Sequence, residues 1–115
     1  MTQLEQTQRQ ILSARAEDAQ GHALTLSAKL KVTVRRASDN LPVAGLPITF
    51  RFSKTGGELA SSVTNTEGIA EAESGTQINL LKDAASLALG YDASFDGDAT
   101  YGPFTTHARI IFGII

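Results

Sequence analysis

The chain of 115 residues has no cysteine and no tryptophan, and aromatic residues make up only 6% of it. Without cysteine, a disulfide framework, a thiolate zinc site and a thiol nucleophile are all excluded. The formal net charge of −2 gives no electrostatic reason to expect nucleic acid or an anionic membrane as a partner. No apolar run approaches the ~20 residues that cross a bilayer, so we expect no membrane insertion.

The N-terminal segment MTQLEQTQRQ also lacks the basic start and apolar stretch of a secretory signal. It contains four glutamines and little that could be buried, so we expect residues 1–10 to be a flexible tail. Residues 11–115 are of a size that builds one hydrophobic core, and we predict a single domain. We interpret the chain as an excised or mature module, or as a protein exported by another route.

The clearest positive feature is the segment LTLSAKLKVTVR, residues 24–35, in which apolar and polar residues alternate without an error. Only a β-strand puts every second side chain on one face, so this segment predicts a strand with one buried and one solvated face. Similar alternation recurs later, which predicts two sheets closed over one core. The residues expected in that core include Leu26, Leu30, Val32, Phe50, Phe52, Leu89, Tyr91 and Phe95, with Lys29, Lys31 and Arg51 outside.

Turn-forming residues divide the chain into about seven strands, at residues 11–17, 24–35, 46–52, 59–64, 69–73, 86–96 and 104–112. Residues 20–22 are expected to turn, and the long second strand to bend or carry a bulge. Residues 75–85 show no clear pattern. The spacing of strands and turns predicts an all-β, immunoglobulin-like antiparallel β-sandwich.

Three segments together resemble the bacterial immunoglobulin-like domains (Big domains) of invasin- and intimin-type adhesins. NLPVAGLPITFRFS at residues 40–53 is similar to the Pro-Val-x-Gly loop and alternating strand of that family. SSVTNTEGIAEAES at residues 61–74 resembles its Thr-x-x-x-Gly-x-Ala turn, and YDASFDGDATYGP at residues 91–103 its Tyr-rich hairpin. These segments cover about a third of the chain, whereas residues 75–90 and the terminal IIFGII depart from the family pattern.

The resemblance implies a structural or adhesive module without catalysis, in a bacterial surface or extracellular protein. Its partners would be adjacent modules, identical subunits, or a host or matrix protein or glycan. An alternative is a subunit of an ordered assembly, such as a filament or a phage-tail-like appendage, that associates through its terminal strands. A carbohydrate-binding module is a third alternative, but it would need exposed aromatic residues, and the tyrosines are only Tyr91 and Tyr101.

Asp92, Asp96 and Asp98 are candidate calcium ligands, because they lie together at a strand end and its turn. We favour a role in forming the turn, since the looped array of aspartates typical of calcium sites is absent. No metal and no cofactor are therefore expected.

Histidines and serines give no sign of catalysis. His22 and His107 lack a second histidine at ligand spacing, so a zinc site is not expected. There is no Gly-x-Ser-x-Gly elbow, and we identify no carboxylate–histidine arrangement that would activate a serine. The chain is not expected to be an enzyme.

The outer faces of the predicted sheets are expected to carry paired charges. Lys29, Lys31 and Arg35 form a basic row, which we expect to face Glu71 and Glu73 on the neighbouring strand rather than to bind anions. On the other sheet, Asp92 is expected between Arg51 and either Arg109 or His107.

The C-terminal sequence IIFGII is the feature least explained by a core. Alternation leaves Ile111 on the outward face, while Ile114 and Ile115 extend past the last core position. Exposed apolar residues on an edge strand are usually covered. We therefore predict that Ile111, Ile114 and Ile115 form an interaction surface.

Overall fold

The structure is a computed structural model that describes residues 9–22, 27–74 and 89–113. This part of the chain contains no helix, and hence none that could span a membrane. It forms nine strands: β1 (Leu12–Ala16), β2 (Ala19–His22), β3 (Ser27–Arg36), β4 (Pro47–Phe52), β5 (Glu58–Val63), β6 (Ile69–Glu73), β7 (Tyr91–Phe95), β8 (Phe104–Ala108) and β9 (Ile110–Gly113).

These strands form two sheets. In the first, β3 pairs with β1 and β2 along one side and with β6 along the other, all antiparallel, and β9 pairs with β2 in parallel. The second sheet has the order β5-β4-β7-β8 and is antiparallel throughout. If β1 with β2 and β8 with β9 are each counted as one interrupted strand, the nine strands become seven. The predicted immunoglobulin-like β-sandwich is confirmed.

The core lies between the sheets where alternation places it. Leu30, Val32, Phe50 and Tyr91 have no exposed surface, and the Phe50 and Tyr91 rings pack at a centroid distance of 6.0 Å. Phe52 and Phe95 are buried as predicted, Lys29 and Arg51 are exposed, and Lys31 is half-exposed. The prediction for Leu26 lies outside the described residues.

The prediction for Leu89 is wrong, because 52% of its surface is exposed. Gly90 follows it with φ +81°, a left-handed conformation that interrupts the strand, and regular pairing begins only at Tyr91. Alternation therefore cannot be extended backwards through this glycine. The earlier part of the predicted strand, residues 86–88, and the unclear segment 75–85 lie outside the described residues.

Residues 20–22 are not the predicted turn but part of β2. The sequence AQGH has no strand-like alternation, and β2 exists because it pairs with neighbours on both sides, β3 and β9. Neighbouring strands satisfy its backbone hydrogen bonds, which outweighs the poor strand propensity of Gln and Gly.

The expected bulge lies not in β3 but between β1 and β2, which both pair with β3. Ala16 pairs with Val32 and Gln20 pairs with Lys29, so the segment from β1 to β2 advances four residues while β3 advances three. The extra residue is a bulge around Glu17 and Asp18, which separates β1 from β2.

The predicted last strand is also divided, at Arg109. β8 belongs to the second sheet and β9 to the first, so the chain changes sheets at this residue. Ala108 is buried and Ile110 half-buried against the core, as alternation predicts. The last strand therefore joins the two sheets.

Candidate functional site

Asp92, His107 and Ser53 form a polar cluster on the outer face of the second sheet. The Ser53 hydroxyl donates to Asp92 Oδ1 at 2.8 Å, and His107 Nδ1 lies 2.9 Å from both oxygens. The strand register places Asp92 between Arg51 and His107, which confirms that part of the predicted surface pairing. Ser53 joins them from the turn after β4, a contact that no sequence pattern indicated.

The cluster contains a serine, a histidine and an aspartate, yet its geometry differs from that of a hydrolytic triad. In such a triad the serine and the aspartate bind opposite nitrogens of the imidazole, so that one nitrogen accepts the serine proton while the aspartate orients the ring through the other. Here both oxygens face Nδ1. The Asp92–His107 pair is the expected surface pairing, and it lacks the arrangement that activates a serine.

The three candidate calcium ligands do not converge. Asp98 Oδ1 accepts hydrogen bonds from the backbone N–H groups of Thr100 and Tyr101, at 2.8 and 2.7 Å, and so shapes the β7–β8 turn. Asp96 is exposed, and Asp92 belongs to the cluster with His107. Within residues 9–22, 27–74 and 89–113, no three acidic or histidine side chains are grouped as a metal site requires.

The basic row on β3 faces carboxylates, as predicted. Lys29 lies opposite Glu73 and Lys31 opposite Glu71 in the strand register. Lys29 Nζ lies 3.7 Å from Glu71 Oε2, and Lys31 Nζ lies 3.6 Å from a carboxylate oxygen of Glu17, a partner that the prediction did not include. Exposed pairs of this kind contribute little stability, and the row is a solvated surface.

Arg35 departs from that pattern. Together with Arg15 on β1 it lines an open cavity of about 600 Å³ beside the bulge. The same cavity is lined by Glu17 and Asp18, so its charged side chains balance. It has no excess of one sign that would select an ion.

The bulge holds the first and last strands together. Asp18, just before β2, accepts two hydrogen bonds from Arg109, one from the backbone N–H to Oδ1 and one from the guanidinium to Oδ2, both at 3.0 Å. These bonds lower the pKa of the Asp18 carboxyl, so it is ionised at neutral pH. The Ala19 N–H in turn donates to the Arg109 carbonyl at 2.8 Å. Two residues 91 positions apart are thereby linked by backbone and side chain.

Tyr91 contacts the same bulge from the core side. Its hydroxyl donates to the carbonyl of Glu17 and lies 3.2 Å from the carbonyl of Lys31. Burial raises the pKa of Tyr91 to about 12. The ring belongs to the core, while the hydroxyl donates to the Glu17 carbonyl at the bulge.

Ile111 lies on β9, at the edge of the first sheet, and 40% of its surface is exposed. Its outward orientation is as predicted. The predictions for Ile114 and Ile115 lie outside the described residues. In the part of the chain that the structure describes, β9 pairs with β2 alone, so its other side is open.

No protein-family model matches the sequence, and no curated protein is significantly similar to it. Residues 40–53 form a loop and β4, residues 61–74 contain the turn before β6, and residues 91–103 contain β7 and the turn before β8. The resemblance to bacterial immunoglobulin-like domains depends on these segments alone.

Proposed function

We propose that this chain is a non-catalytic, immunoglobulin-like module of a bacterial surface or extracellular protein, acting as a spacer or protein-contact unit. The observation that carries the proposal is the direction of the first and last strands. Gln10 pairs with Tyr101 at the beginning of the sandwich, while His22 pairs with Gly113 at the other end. The chain thus enters at one pole of the sandwich and leaves at the opposite pole.

Modules joined at opposite poles extend a chain instead of folding it back. The segment from Gln10 to His22, which contains β1, the bulge and β2, covers roughly 40 Å at about 3.3 Å per residue. Each copy would add this length to a stalk. The outer faces support the same role, because both carry paired polar side chains, Lys29 with Glu71 on one sheet and Asp92 with His107 on the other.

Small-angle X-ray scattering of one, two and four directly linked copies tests the spacer role. We expect the maximum dimension to increase by roughly 40 Å with each copy. Copies separated by a flexible glycine-serine linker provide the control, since their dimension should grow more slowly than linearly. A directly linked series that grows no faster than the flexible one would contradict the proposal.

One observation favours the alternative, a subunit of an ordered assembly. Among the residues that the structure describes, β9 has a partner on one side only and the Ile111 side chain is exposed, and such edges accept strands from other chains. In a spacer, the same surface would contact the next module.

The carbohydrate-binding alternative loses much of its basis. Tyr91 is completely buried, and Tyr101 is half-buried in the turn after β7. Stacking on a sugar ring needs an exposed aromatic face, and neither tyrosine provides a fully exposed one.

A further inference from the structure

The parallel pairing of β2 with β9 has a mechanical consequence when the chain is pulled through its ends. Four residue pairs, from Ala19 opposite Ile110 to His22 opposite Gly113, join the strands. The chain enters β1 at one pole and leaves β9 at the opposite pole. Tension applied to the two ends of the chain therefore pulls β1 with β2 in one direction and β9 in the other, along the strand axes.

Such a load acts on the hydrogen bonds in shear. The bonds between strands run across the strand direction, so sliding one strand past its neighbour must strain the whole set together. When strands are instead separated from one end, the bonds break one after another, and each rupture needs only a small force. The direction of the applied force therefore determines how large a force the strand pair withstands.

Asp18 and Arg109 add a side-chain link where this strand pair begins. The carboxylate accepts from both the backbone and the guanidinium of Arg109, at 3.0 Å each, and the Ala19 N–H donates to the Arg109 carbonyl. Hydrogen bonds to a charged group are roughly twice as strong as neutral ones, and two of them together fix the geometry of the contact. Sliding β9 along β2 has to break all three bonds.

At the opposite pole, backbone hydrogen bonds hold Gln10 to the turn between β7 and β8. The Gln10 N–H donates to the Thr100 carbonyl at 2.9 Å, and the Gln10 carbonyl accepts from the Gly102 N–H at 3.0 Å. β1 is further held along its length by β3, whose inward-facing side chains Leu30, Val32 and Val34 are buried in the core. Tension applied at the N-terminal side therefore cannot release β1 without shear.

We propose that β2, β9 and the Asp18–Arg109 pair form a tension-bearing latch that resists extension of the domain through its ends. This inference rests on the proposed spacer function, since only a module within a stretched chain meets such a load. The latch explains why the chain changes sheets at Arg109: the change brings the last strand beside the first.

Single-molecule pulling tests the latch, and the absence of cysteine allows attachment points to be placed freely. In the first geometry the molecule is pulled through cysteines added before Met1 and after Ile115. In the second it is pulled through His22→Cys and the cysteine after Ile115; because His22 pairs with Gly113, this load starts at one end of the strand pair and peels β9 from β2. We expect a peak unfolding force several-fold higher in the first geometry.

Asp18→Asn and Arg109→Gln should lower the peak force in the first geometry and leave it unchanged in the second. Lys29→Gln is the matched control, because it removes an exposed ion pair with Glu71 that joins β3 to β6 and neither terminal strand. Circular dichroism establishes that each variant is folded. Equal forces in both geometries, or a loss with Lys29→Gln as large as with Asp18→Asn, would overturn the latch.

These results are independent of the scattering experiment. A linear increase in length without a high peak force would leave the spacer role intact and reject the latch. A high peak force in a molecule whose linked copies do not extend would support the latch and reject the spacer role.

Discussion

Tyr91 combines two roles that are usually separate. Its ring packs against Phe50 in the core, while its hydroxyl reaches the carbonyl groups at the bulge of the first strand. Alternation predicted the buried ring, because Tyr91 falls on the inward side of β7. The hydroxyl contact was not predictable, since it joins residues 74 positions apart.

Tyr91→Phe should destabilise the domain by about 1 to 3 kcal/mol, because it removes the hydroxyl donor from part-buried carbonyl groups without changing the ring. Urea denaturation at neutral pH measures this loss. Tyr101→Phe serves for comparison and should cost less, since its side chain is only half-buried. Equal losses for the two variants would mean that the bulge does not depend on the Tyr91 hydroxyl.

The same residue gives an alkaline pH dependence. The pKa of Tyr91 rises from 10.0 in the unfolded chain to about 12 in the fold. Above pH 10.0 the unfolded chain loses this proton while the folded chain keeps it, so the contribution to stability is complete below that pH and falls as the pH rises towards 12. The stability difference between the natural chain and Tyr91→Phe should therefore shrink over this interval.

Among the elements, most strands were predictable from alternation, whereas β2 and the separation of β9 from β8 were not. β1 and β3 to β8 overlap the strands that the sequence indicated, and most of them alternate between apolar and polar residues. β2 and β9 depend on each other across most of the chain, and no local pattern records such a partner. The same limit applies to the candidate site: Asp92 beside His107 followed from the register, whereas Ser53 and the Asp18–Arg109 pair required the folded structure.

The turns allow a sharp comparison between two glycines. Gly68 has φ +78°, and a Cβ there would lie 2.3 Å from the carbonyl oxygen of Val34; Gly45 has φ +83° with open space around it. Gly45→Ala should cost about 1 to 2 kcal/mol from the left-handed backbone alone. Gly68→Ala should cost clearly more, because the turn must also move away from β3.

Thermal and urea denaturation of both glycine variants measure the difference. The sequence indicated a turn with positive φ at Gly68, but only the fold reveals how closely β3 approaches. If the two losses were the same, the close contact with Val34 would have no energetic weight.

At the scale of the whole molecule, the edge strand β9 predicts contact with another molecule or module. Complete burial of an isoleucine side chain contributes about 1.5 to 3 kcal/mol, and covering Ile111, which is 40% exposed, supplies a part of this toward holding a neighbour. We expect the full chain to associate as its concentration rises, and Ile111→Lys and a chain ending at Gly113 to associate less. Sedimentation velocity over a concentration series measures this.

Leu41→Lys is the matched control for that experiment. Leu41 is also apolar and 51% exposed, but it lies in the loop before β4, away from β9. It should leave association unchanged. A full chain that stays monomeric at every concentration would count against contact through β9 and leave an isolated spacer.

The parallel terminal strands also limit how this domain can be rearranged. Gln10 and Gly113 lie at opposite poles, so a circular permutant would need a connection that covers roughly 40 Å, about a dozen extended residues. Inserting the domain into a surface loop of a host protein would force two neighbouring host residues apart by the same distance. This domain is suited to concatenation and unsuited to permutation or insertion, in contrast to domains whose termini lie side by side.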